Sequence, residues 1–141
     1  MNQLETTYTI RVGELAHARS GDKGNTANIG VLAYTEAAYA WLKQELTPEV
    51  VKHHFRSVCH GEVDCFELPN LLALNFVLHD VLGGGGSRSL RIDAQGKALG
   101  QAVLQIKIPA PSAYVIEEAR QARVAERPRT GSPGSEVSDE P

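Results

Sequence analysis

Apolar and polar positions alternate from the first residues that could be buried. Ile10 and Val12 share one side, with Thr9, Arg11 and Gly13 on the other, which predicts a half-buried strand running from Tyr8 towards Ala18. A polar stretch punctuated by glycines, Arg19 to Thr26, then breaks the pattern and reads as a loop. Ala27 to Tyr34 is apolar and short, as expected of a buried strand.

The period then lengthens. Ala38, Leu42 and Leu46 recur every four residues, predicting a helix over Glu36 to Leu46. Thr47-Pro48-Glu49 opens a second helix. The threonine suits the N-cap, and the proline suits the first turn, where its missing N–H costs nothing. Val51, Phe55 and Val58 form its buried stripe. Glu62 to Leu68 alternates again between Gly61 and Pro69, which predicts a strand. Asn70 is placed to cap a third helix, Leu71 to Leu82, that stops at the glycines Gly83 to Gly86. Only Asn75, His79 and Asp80 break its apolar surface, so cover is expected on several sides, including from a second copy of the chain. Ser89 to Asp93 and Ala98 to Ile108 read as a hairpin around Ala94 to Lys97, and a last helix is expected from Ser112 to Glu126. From Arg127 onward proline, glycine, serine and charge dominate, which predicts a folded domain over 1–126 and a disordered tail over 127–141.

This order of elements predicts a two-layer α+β sandwich. The helical connection from Tyr34 to Gly61 favours a right-handed crossover to a parallel neighbour, hence a mixed sheet with helices on one face. The length, 141 residues, suits one core. A net charge of -3 supplies no basic field for nucleic acid or an anionic membrane, and no run reaches the roughly 18 to 20 apolar residues of a membrane span. Two cysteines are too few for a disulfide scaffold, and the opening residues are too polar for a signal peptide, so a cytoplasmic protein is expected.

Chemistry concentrates in His17-Ala18-Arg19-Ser20-Gly21-Asp22-Lys23-Gly24-Asn25-Thr26. Glycines let a backbone present N–H groups to an anion, and Arg19 or Lys23 could neutralise it, with Ser20 and Asn25 as polar ligands; a plain polar hairpin is the alternative. The glycine run before Ser87, Arg88 and Ser89 repeats the theme, with a helix cap followed by slack as its alternative. Should the two loops meet, Lys23 and Arg88 would be the cations of a phosphate or carboxylate pocket. An enzyme built on the same loop would use His17, Asp22 and Lys23 as acid–base or oxyanion groups.

Three other patterns are weaker. Ser20 and Lys23 have the S-x-x-K spacing of serine acyl-transferases, but Gly21 and Gly24 disfavour the helix that spacing needs. His53, His54, Cys59, His60 and Cys65 lie close in sequence without paired zinc-ligand spacing, so no metal is expected and Cys65 reads as a buried thiol. Asn75 and His79, four apart, read as a polar pair facing solvent or an interface.

Ala18 through Gly30, Pro69-Asn70-Leu71 through Asn75-Phe76, and Gly84 to Gly86 with Ser89-Leu90-Arg91 and Asp93 to Lys97 resemble the C-terminal domain of AtuA-like (acyclic terpene utilisation) proteins. The resemblance spans approximately residues 8 to 108. It implies a ferredoxin-like fold, carried here by a free-standing copy of a domain otherwise fused behind a larger AtuA-like one. It further implies an accessory or ligand-binding subunit working with that larger partner in the breakdown of branched acids as coenzyme A thioesters. The thioester would be a substrate moiety, and no resident cofactor is expected. A small self-sufficient enzyme, of lyase or hydratase type acting on an acyl-CoA or carboxylic acid, is the alternative.

Overall fold

The alternation that starts at Thr9 does not continue as one strand. In the computed structural model, which describes residues 8–81 and 99–126, it divides into β1 (Thr9–Arg11), a 3-10 turn (Val12–Glu14) and β2 (Ala16–Lys23). Val12 and Leu15 are both fully buried, and three-residue spacing on one side requires a turn where a strand would expose one of them. The turn is held from outside: the N–H groups of Val12 and Gly13 donate to the carbonyls of Ile106 and Leu104, each at 2.9 Å. A side chain at Gly13 would press on Leu104, its Cβ 3.3 Å from that carbonyl oxygen.

β3 (Thr26–Ala33) follows, then α1 (Glu36–Glu45) and α2 (Pro48–His54). Both helices start on threonine caps: Thr35 accepts from the Ala38 N–H at 3.1 Å and Thr47 from the Val50 N–H at 3.3 Å. Ala38, Leu42, Leu46 and Val51 are all buried, as their spacing requires. Next come β4 (Val63–Leu68), a 3-10 turn over Pro69–Leu71 and β5 (Ala73–Leu78). Residues 99–103 are helical (α3), β6 (Lys107–Pro109) pairs with β1, and α4 is Ala113–Glu126. The Trp41 indole donates to the Pro109 carbonyl at 2.7 Å and ties α1 to the small sheet.

Two further expected elements are different. The helix predicted over Leu71 to Leu82 is replaced from Ala73 to Leu78 by β5, an inner strand hydrogen-bonded to β3 on one side and β4 on the other. Leu74, Phe76 and Leu78 enter the core, while Ala73, Asn75 and Val77 point to the opposite face. A strand in mid-sheet is apolar on both faces, so its run resembles a buried helix. Asn70 accordingly sits in the 3-10 turn and caps no helix. The strand predicted over Ala98 to Ile108 is helical at 99–103 and becomes strand only at Lys107. Leu99, Val103 and Ile106, buried at spacings of four and three, follow a helical period. The partner segment Ser89 to Asp93, the glycines Gly83 to Gly86 and the 127–141 tail lie outside the described residues.

The main sheet has the order β2-β3-β5-β4, and all its neighbours are antiparallel. The crossover through α1 and α2 does join parallel strands, β3 and β4, but β5 fills the place between them, so the expected parallel neighbour is absent among the described residues. This is the split β-α-β core of a ferredoxin-like α+β fold, with β2 as the outer strand beside β3. The helices and one face of the sheet share a core around Ile29, Phe76, Leu42, Leu74 and Val103. Among the described residues, no helix is long and apolar enough to cross a membrane.

Candidate functional site

The stretch expected to be a loop, Arg19 to Asn25, is mostly strand. β2 runs through Lys23, which pairs with Thr26, and only Gly24 and Asn25 form the turn, Gly24 at φ 63°. A two-residue hairpin needs such a left-handed residue, and glycine adopts it without strain. The polar, glycine-bearing composition that suggested a loop reflects an outer strand with one face free of the helical layer.

Strand alternation then sorts the candidate residues. His17, Arg19, Gly21 and Lys23 occupy alternate positions of β2, in register with Leu32, Gly30, Asn28 and Thr26 of β3. Gly30 in turn faces Asn75 of β5, and Leu32 faces Ala73. Together they form the sheet face turned away from α1 and α2, and a groove of about 630 Å³ crosses it. Arg19 and Lys23 stand on its β2 side, and among the described residues neither makes an ion pair. Its floor drops at Gly21 and Gly30; a Cβ at Gly21 would meet nothing within 4 Å. Asn28 and Asn75 add carboxamides, while Leu32, Leu68, Leu71 and Ala73 make the other end apolar. Cations beside an apolar bed can hold an amphipathic anion: the charge meets the guanidinium or ammonium, and the chain covers leucine.

The remaining candidates separate. Ser20 borders the groove, but its hydroxyl lies towards α3, 2.9 Å from where a Cβ on Gly100 would be. Ser20 and Lys23, three residues apart on a strand, therefore face opposite ways, and the serine acyl-transferase arrangement is not formed. Asp22 takes the register position opposite Ala27. His17 packs against Tyr34, ring centroids 5.4 Å apart, and lies six residues from Lys23 along one strand, roughly 20 Å away. His17 and Lys23 thus cannot serve one reacting atom. Asn25 sits in the turn, where its carbonyl accepts from the Val81 N–H at 2.7 Å. The chain is therefore anchored beside the hairpin two residues before its glycine run, while Arg88 lies outside the described residues.

The histidine and cysteine group is dispersed. Cys59 is buried, its thiol donating to the His79 carbonyl at 3.2 Å, and burial raises its pKa. Cys65, half-buried on the core side of β4, is raised to about 11 by desolvation first and by the Glu67 charge second. Burial lowers the pKa of His54, which stands edge-on to Phe55. His79 bonds Asp64 across the open face at 2.9 Å. Asn75 and His79 do share a side, through strand alternation and not a helix turn. Among the described residues, no three His, Cys, Asp or Glu side chains are grouped to hold a metal.

The groove residues that sequence reasoning passed over include Asn28, Gly30, Leu32, Leu68 and Leu71. A signal was present: within apolar Ala27 to Tyr34, Asn28 and Gly30 fall two apart, marking one face of that strand as free of the core.

The family model of the AtuA ferredoxin-like domain matches residues 10–109, from β1 to the end of β6. No curated protein and no solved structure matches the chain. The matched span covers most of the chain, and the chain belongs to the AtuA ferredoxin-like domain family.

Proposed function

We propose that this member of the family is a ligand-binding accessory subunit, whose open sheet face takes a small amphipathic anion for a larger AtuA-like partner. The ligand class is a branched or medium-chain carboxylate, free or as its coenzyme A thioester. The observation that carries this reading is the groove itself: Arg19 and Lys23 on one side, leucines at one end and a glycine floor between. Among the described residues that line it, the groove gathers cations and apolar surface without a general base beside a nucleophile, since His17 and Lys23 stand at opposite ends of β2 and Ser20 turns to α3. That division suits binding and presentation, with the chemistry supplied by the partner.

The test is calorimetric titration of the chain with a medium-chain branched carboxylate and with its coenzyme A thioester. Binding is expected, and Lys23→Ala should weaken it about tenfold, the lower end for a hydrogen bond to a charged group, because Lys23 is exposed. The fold should be unaffected. Equal affinity in both proteins, or no heat with either ligand, would refute the reading.

A further inference from the structure

The groove is uncovered. Among the described residues no element lies over the open face, where Phe66 is 53% exposed, Leu68 42% and Leu71 62%. Charge is also divided across it. Arg19 and Lys23 stand on one outer strand, β2, and Asp64 on the other, β4, where its carboxylate bonds His79 and stays about half exposed.

We propose that this face packs against the same face of a second copy. A two-fold axis parallel to the strands, midway between β3 and β5, places β2 of one copy over β4 of the other. The register then determines the contacts. Gly21, Asn28, Val77 and Asp64 form one row across the sheet, so Asp64 of the second copy comes over Gly21, between Arg19 and Lys23. Gly21 leaves that space empty. In the next row Phe66 of the second copy comes over Arg19, and in the one after that Leu32 comes over Ala73 of the second copy, large over small. Each contact occurs twice, as a two-fold interface requires. Sheets stacked in this way lie about 10 Å apart with strands inclined by roughly 30°, so rows near the axis match most closely.

Four strands of about seven residues present a face of roughly 19 by 24 Å, or about 900 Å² for the pair. That is below the roughly 1,200 Å² of the smallest stable interfaces, so the dimer is weak and concentration-dependent. The opposed charges set its register more than its affinity. The second copy covers the groove proposed above as the ligand site, and its Asp64 stands at the cations that would hold an anion, so the dimer and the anion-bound chain are alternative states. The pairing itself does not depend on the ligand's identity.

The experiment is sedimentation velocity on the full chain without ligand, across the micromolar range. A dimer that forms with rising concentration is expected. Lys23→Glu and Asp64→Lys should each raise its dissociation constant about tenfold or more by opposing like charges. The combined variant should recover part of the loss, because the pairs between positions 23 and 64 re-form with signs exchanged while Arg19 then meets a like charge. Leu68→Ser should weaken the dimer independently of charge, and melting curves should show every variant folded. A wild-type chain that stays monomeric overturns the inference, and if it still binds carboxylate the ligand site stands alone. A dimer indifferent to all these changes also overturns it.

Discussion

Three glycines, one in the groove, one in the hairpin turn and one before β4, give predictions of different sign. Gly21 lies in extended β2, a Cβ there meets nothing within 4 Å, and its φ is not in the left-handed region. Gly21→Ala should therefore stabilise by about 0.4 to 1 kcal/mol, because alanine removes freedom from the unfolded chain that the native strand does not need. Gly24 is at φ 63°, so Gly24→Ala should destabilise by about 1 to 2 kcal/mol with no clash at all. Gly61 is limited by space: a Cβ would stand 2.7 Å from the His79 carbonyl oxygen and 2.9 Å from its carbon. Both are backbone atoms of a segment whose hydrogen bonds run from Gly61 N–H to that same oxygen at 3.0 Å and from His79 N–H to Glu62 at 3.0 Å. Gly61→Ala must push two paired segments apart, at a cost of about 1 to 3 kcal/mol. In a domain of this size each kcal/mol moves the melting temperature by about 3 to 5 °C. Thermal melts of the three variants should then show Gly21→Ala at or above wild type and the other two clearly below it. A destabilised Gly21→Ala would mean residue 21 needs a glycine conformation, as a loop would, and the strand that aligns Arg19 with Lys23 would be refuted.

Phe76, fully buried on β5, should cost about 3 to 5 kcal/mol as Phe76→Ala in urea unfolding, whereas Asn75→Ala on the opposite face should be near neutral. The Cys65 thiol, raised to about 11 from an ordinary 9.0, should alkylate slowly at neutral pH and accelerate as pH approaches 11, read by mass spectrometry with Cys65→Ser as control. Because the unfolded thiol ionises first, the same group's contribution to stability is intact below about pH 9 and is lost between about pH 9 and 11. Asp64→Ala should change stability by less than about 1 kcal/mol, since its bond to His79 is exposed to water.

Legibility followed the local signals. α1, α2 and α4 could be read because caps and four-residue spacing are properties of a short stretch: Thr47-Pro48 marks the start of α2 within the sequence itself. β5 could not, because what makes Ala73 to Leu78 a strand is its pairing with β3 and β4, contacts distant in sequence, and its one β-branched residue, Val77, gives little local preference. The break at Val12–Glu14 depends likewise on Leu104 and Ile106, nearly a hundred residues away. The cations of the groove, Arg19 and Lys23, were legible as charge beside glycine. Their common face was not, since it follows from a strand where composition indicated a loop. Leu32, Leu68 and Leu71 resemble core residues in sequence, and only the one-sided placement of the helices leaves them outside.

The most direct measurement is an amide chemical-shift titration of the labelled chain with a medium-chain branched carboxylate. The groove reading predicts shifts concentrated at Arg19, Gly21, Lys23, Gly30, Leu32 and Asn75, with little change in α1 and α2. No saturable shifts, or shifts confined to the surface around His54, Val58 and Ala102 on the helical side, would contradict it.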